Sequence, residues 1–202
     1  KYDFGGDAWK AAYTTFNVFG GVVQVLAMMV LFPLLRRFFS AVAVFYVGLG
    51  MAFTGYVSLL ILAFTNMSNV FLLFIPAFFI FGANGVLSVL TTVFLANSVD
   101  YGEWKNGRRD ESVIFSMQTF VVKLASGVAA LIASICLGIF HMDDSETAAV
   151  ASQSSVVGLR MTMTVLPVLG LVAALFYFRR RFILTQEKVD EITKKLHEGK
   201  RG

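Results

Sequence analysis

Five apolar runs, at about residues 11–32, 41–64, 70–99, 113–140 and 156–178, each reach the roughly 20 residues that cross a bilayer core. That fixes the class before any motif is read. The 202 residues are 57% hydrophobic and 15% charged, well below the roughly 25% charged residues of soluble domains. Mean hydropathy is +0.73. The pattern predicts an all-α, polytopic membrane protein with five transmembrane helices. Residues 1–12 are expected to form an outer loop or the end of a preceding helix, 13–178 the transmembrane bundle, and 179–202 a tail. The first run should stop at Pro33, and the long third run should tilt, or kink near Pro76. In the tail, Val189, Ile192 and Leu196 share a face, which predicts a short amphipathic helix lying near the headgroups.

A net charge of +4 could suggest nucleic acid, but the cations sit mostly at the ends of apolar runs, where membrane orientation explains them. If the five runs alternate, Arg36, Arg37, Lys105, Arg108, Arg109, Arg179, Arg180 and Arg181 all fall on one side. The other side holds Lys1, Lys10 and Arg160, with the acids Asp143, Asp144 and Glu146. The positive-inside rule therefore places residues 100–112 and the carboxyl terminus in the cytoplasm, and the amino end outside. An outside start at Lys1, with no initiator methionine and no signal peptide, suggests a longer polypeptide with at least one helix upstream.

Several chemistries lack their residues. Cys136 is the single cysteine, so neither a disulfide nor a thiolate metal site is expected. His141 and His197 have no ligand spacing around them, so no metal is assigned. There is no P-loop, cofactor loop or nucleophile–base pair, so neither an ATP engine nor an enzyme is expected. Asn66-Met67-Ser68 matches a glycosylation sequon but is discounted as a chance occurrence.

The candidate functional residues concentrate in 97–123, NSVDYGEWKNGRRDESVIFSMQTFVVK. Lys123 is the only full charge deep in an apolar run, a placement that costs about 2.5–3.5 kcal/mol on insertion scales. It lies about 15 Å from the near end of its helix, beyond the reach of a lysine stem. Ser116, Thr119, Lys123, Ser126, Gly127 and Ala130 form one stripe, with Gln118 on its shoulder. Such a stripe suits a water-filled cavity in which the ammonium meets a substrate oxygen; a purely interhelical salt bridge is the alternative. In residues 97–112, acids interleave with Lys105, Arg108 and Arg109, and pairs that form in one conformation and break in another would make a gate. Asn84, Ser88 and Thr91 form a second polar stripe. Asn17 and Gln24 share a face with Gly20 and Gly21, read first as a helix contact and otherwise as cavity lining. Arg160, a turn from the end of its run, is expected to anchor at the interface.

The stretch NSVDYGEWKNGRRDESVIFSMQTFVVKLASG closely resembles the loop between the tenth and eleventh helices, and the eleventh helix itself, of the glycoside–pentoside–hexuronide:cation symporters. These belong to the major facilitator superfamily. The DYGEWK…GRR core, the apolar pair before Ser116 and the QTFVVK run carry the resemblance. It implies that the five spans correspond to helices 8–12 of a twelve-helix symporter of a bacterial inner membrane. Lys123, Gln118 and Thr119 would then be substrate-binding, and Asp100, Tyr101, Glu103, Arg108 and Arg109 would form the cytoplasmic gate. Asn17, Gln24, Asn84 and Ser88 would line the cavity. The partners implied are a sugar, the bilayer and an amino-terminal half that carries the coupling-cation site, Na⁺ or H⁺, with no cofactor here. Two departures stand out: Asn97 occupies a position where the family usually has an aspartate, and Ser88 stands where melibiose carriers have a stacking tryptophan. A lysolipid carrier of the same superfamily, or a scaffold subunit without transport, are the competing expectations.

Overall fold

The computed structural model describes residues 8–65, 70–140, 153–182 and 185–199, and every element in it is helical. In chain order these are α1 (Ala8–Leu26), a π-helical turn (Ala27–Leu31), α2 (Phe32–Phe38), α3 (Ala41–Thr65), α4 (Val70–Asn106), α5 (Glu111–Ile139), α6 (Gln153–Arg181) and α7 (Gln186–Gly199). Five spans are long and apolar enough to cross a membrane: Trp9–Phe38, Ala41–Thr65, Phe71–Asn106, Glu111–Ile139 and Ser155–Arg181. The protein is a multi-pass, all-α membrane protein. The sequon at 66–68 and the acidic connection containing His141, Asp143, Asp144 and Glu146 lie outside the described residues.

The centre of the bundle is the α3–α4 contact, with α1 on one side of α4 and α6 against α3. Val44, Val86 and Leu90 are at most 1% exposed and meet Ala27 and Ala41 in one cluster. Small residues allow the close approach. A Cβ at Gly85 would lie 2.6 Å from the backbone oxygen of Gln24 and 2.9 Å from Cβ of Ala27. Backbone cannot yield as a flexible side chain can. Gly85→Val is therefore expected to lower stability by about 1–3 kcal/mol, read as a reduced melting temperature in detergent. Gly20 is buried beneath the Phe81 ring, whereas Gly21 faces open space, so the predicted small-residue contact forms through one of its two glycines.

Pro33 does not end the first span. Proline has no N–H to return to the carbonyl four residues back, and its ring crowds that carbonyl. The wider π turn absorbs the defect: Phe32 N–H donates to the Ala27 oxygen five residues back, and the helix continues to Phe38. Pro76 is likewise carried inside an unbroken α4 and is fully buried.

Three further expectations need correction. The helix already begins at Ala8, inside the segment expected to be a loop. The polar loop is much shorter than 100–112: α4 runs on to Asn106, 37 residues in all, and only Gly107 to Asp110 separate it from α5. At 1.5 Å per residue α4 is about 55 Å long, far more than a ~30 Å hydrocarbon core requires. Arg160 does not simply anchor at headgroups, because its Nη1 donates to the Ala63 carbonyl at 2.9 Å. That oxygen belongs to the last turn of α3, where carbonyls lack helical partners and the dipole favours a cation.

Near the opposite ends of α3 and α6, aromatic rings lock three helices. Phe45 of α3 stacks on Phe178 of α6 at 3.9 Å, Phe178 stacks on Phe182 at 4.2 Å, and Phe94 of α4 lies 4.9 Å from Phe182. This gathers the start of α3, the last third of α4 and the end of α6 at one end of the bundle. The arginines Arg36, Arg37, Arg179, Arg180 and Arg181 occupy last turns at that same end. α7 then turns back onto the α4 extension and buries Ile192 there, rather than lying free at the headgroups.

Candidate functional site

Gly107 makes the turn between α4 and α5. Its φ of +70° is strained for any residue with a Cβ, and its N–H closes the helix end on the Glu103 carbonyl at 2.9 Å. The reversal brings Arg109 back alongside the last two turns of α4. Its Nη1 donates to Glu103 Oε2 at 2.8 Å and to Asp100 Oδ1 at 3.1 Å, while Nε donates to Glu111 Oε2 at 3.1 Å. One planar guanidinium thus ties the end of α4 to the start of α5, a fork that a lysine ammonium does not provide. The hydrogen bond to Glu103, followed by that to Glu111, raises the Arg109 pKa further above its ordinary value.

Of the expected gate residues, Asp100, Glu103 and Arg109 therefore come together. Glu111, one of the acids of the 97–112 charge run but not among the gate residues that the resemblance implies, is the third carboxylate. Its position two residues after Arg109 across a helix start was the available signal. Arg108 points away, 80% exposed and 3.9 Å from Asp110, a pair of the kind that contributes little. Tyr101 turns to the neighbouring face of α4, where its ring lies 6.0 Å from that of Trp104. The Arg109 bonds to Asp100, Glu103 and Glu111 all lie within one helical hairpin.

α5 has two opposed faces. None of its residues is buried. The stripe Ser116, Thr119, Lys123, Ser126, Gly127 and Ala130 is exposed throughout, and Gln118 is half-exposed at its margin. Thr119 and Ser126 donate their hydroxyl protons to Phe115 and Val122 carbonyls at 3.0 and 2.9 Å. Their oxygens remain available only as acceptors, so the Lys123 ammonium is the stripe's charged outward donor, with the Ser116 hydroxyl as a neutral one. Among the described residues Lys123 has no ion-pair partner.

The other face of α5 borders a cavity of about 600 Å³ shared with α6 and lined by residues such as Val121, Ala125, Val128, Ile132, Leu159 and Met163. Lys123, Gln118 and Thr119 are not part of that lining. At about 100° per residue the cavity-facing positions lie nearly opposite Lys123. Apart from Thr162 the lining is apolar and offers few partners to sugar hydroxyls, which makes it a poor match for a sugar.

The remaining polar candidates lie on other helices. Asn84 and Ser88 are exposed with Thr91 on the outer side of α4, away from buried Ala83, Val86 and Leu90. Asn17 is exposed and its amide donates to the Tyr13 carbonyl at 2.8 Å; Gln24 is half-buried. Among the described residues no hydrogen bond joins any of these four to Lys123.

Comparison with known proteins places this architecture. An uncharacterized symporter of Bacillus subtilis, YjmB, is 26% identical over 193 residues, which is 96% of this chain and 40% of YjmB. The raffinose carrier protein of Pediococcus pentosaceus is 27% identical over 180 residues, 89% of this chain and 27% of the carrier. A lactose permease of Lactobacillus delbrueckii is 25% identical over 182 residues, 90% of this chain and 28% of the permease. The chain thus spans between about a quarter and two fifths of the length of these relatives. The family described as MFS/sugar transport protein matches residues 4–186, from ahead of α1 to the first residue of α7. With that match covering the whole transmembrane bundle, the chain belongs to the MFS/sugar transport protein family.

Proposed function

We propose that the full-length protein is a cation-coupled sugar symporter of a bacterial inner membrane, working by alternating access, and that this chain supplies its carboxyl-terminal half. The observation that carries the reading is the α5 stripe, an outward-facing cation at mid-span flanked by hydroxyl and amide groups. A cation in a bilayer-spanning helix requires an oxygen partner. Here that partner would be a sugar hydroxyl or carboxylate, or an acid on the amino-terminal half. In this reading Lys123, Gln118 and Thr119 bind a glycoside, pentoside or hexuronide, and Asn17, Gln24, Asn84 and Ser88 line the approach.

The Arg109 network would latch the face on which the arginine-rich ends gather, taken as cytoplasmic together with the carboxyl terminus. An amphiphile carrier fits less well. Its headgroup at Lys123 would lie on the face of α5 opposite the apolar cavity, so one lipid would not reach both.

The test is uptake by proteoliposomes of the full-length protein, with raffinose, lactose and a xyloside offered under an imposed Na⁺ or proton gradient. Accumulation above the external concentration, abolished by an ionophore that collapses one gradient, is expected. Equilibration without accumulation would make the protein a uniporter. Uptake of a lysophospholipid but of no sugar would replace the substrate class.

A further inference from the structure

The tail helix has a specific seat. Lys188, Ile192 and Lys195 fall at i, i+4 and i+7 on one face of α7. Ile192, 4% exposed, is buried where α7 lies against α4. On either side of it the Lys188 ammonium lies 5.9 Å from the Tyr101 ring centre, and the Lys195 ammonium 5.6 Å from that of Trp104. Lys195 is also paired with Glu191, which fixes its side chain over the indole. Tyr101 and Trp104 occupy the face of α4 next to the one that presents Asp100 and Glu103 to Arg109. The α4 extension is thus held from two sides, by the α4–α5 turn on one and by the tail on the other.

We infer that Lys188, Ile192 and Lys195 are positioning residues of the Arg109 latch: α7 braces the extension of α4 so that Asp100 and Glu103 stay in register with Arg109. The inference rests on the latch reading given above. α7 acts on the latch through α4. An unbraced α4 extension would lose its support on the Tyr101–Trp104 face, and the latched population would fall.

The experiment uses the full-length protein in liposomes with Trp104 as its only tryptophan and Ser88→Cys as its only cysteine. Two quantities are read: acrylamide quenching of Trp104, and the rate at which a membrane-impermeant maleimide, added on the tail side, labels position 88. Ile192→Asp should increase the quenching and raise the labelling rate about tenfold, as expected when a dominant closed state loses population. Lys188→Gln with Lys195→Gln should do the same without a buried charge, whereas the two arginine replacements, which keep the cation over the ring, should match the parent.

Unchanged quenching in Ile192→Asp would show that α7 does not cover Trp104 and would overturn the proposal. So would increased quenching with unchanged labelling, if Arg109→Gln still raises labelling; the latch would then stand without its brace. If Arg109→Gln itself leaves labelling unchanged, the latch reading fails, and the inference falls with it.

Discussion

Full-length protein carrying Lys123→Ala is expected to insert and accumulate in the membrane at least as well as the parent while losing sugar uptake. The two halves of this result have opposite physical origins. Removing a mid-span cation relieves an insertion penalty of about 2.5–3.5 kcal/mol, so abundance should hold or rise. Removing a charge-assisted hydrogen bond to substrate loses about 1.5–3 kcal/mol, roughly ten- to a hundredfold in affinity. The measurements are membrane abundance by immunoblot and initial uptake across a substrate range. Lys123→Arg should recover only part of the uptake, because a planar, wider guanidinium does not reproduce a compact ammonium. A purely structural ion pair predicts a different outcome, because a partner carboxylate left buried in the bundle would lower abundance together with uptake. Uptake at the parental level in Lys123→Ala would remove this lysine from the substrate pathway.

What the sequence disclosed and withheld follows from which interactions are local. The five spans were legible because length and apolarity act residue by residue, and their observed limits differ from the expected ones by only a few residues except at two places. At Pro33 the rule that proline ends a helix met a remedy, the π turn at Ala27–Leu31, that leaves no mark in composition. Beyond Val99 the charges of DYGEWKN suggest a loop, although every residue up to Asn106 tolerates helix and only Gly107, at φ +70°, demands a break.

Pairings were harder than spans. Asp100 and Arg109 are nine residues apart and meet because the turn is tight. The seat of α7 on Tyr101 and Trp104 joins residues more than eighty positions apart. It could be glimpsed only in the matching i, i+3 spacing of the two rings and the i, i+7 spacing of the two lysines. An amphipathic helix can satisfy its apolar face on lipid or on protein, and the helix's own sequence does not choose between them. That Lys123 and its hydroxyl neighbours share one side of α5, by contrast, needs no partner element, since a helix face is set by its own periodicity.

Arg109→Gln is expected to have the second large effect, and its pattern separates a latch from a surface salt bridge. The guanidinium bridges Asp100, Glu103 and Glu111, so its removal takes the shared counter-charge away from three carboxylates gathered at the turn. The latched state should lose population and the apparent KM for sugar entering from the opposite face should rise about three- to tenfold, because affinity is divided by the fraction of competent protein. Turnover should change in a different proportion, whereas a residue in the binding site would move KM and uptake together at every condition. Arg109→Lys should remain impaired, since a point charge cannot hold the three acceptors in the geometry of the fork. Adding Asp100→Asn and Glu103→Gln to Arg109→Gln should restore part of the loss by removing the repulsion, a non-additive result that a double-mutant cycle detects. The parent's KM should also rise with ionic strength, because Arg109 is half exposed and its pairs are open to screening. If KM is unmoved in Arg109→Gln and insensitive to salt, the three contacts only hold the turn together, and closure must be sought at the interface with the amino-terminal half.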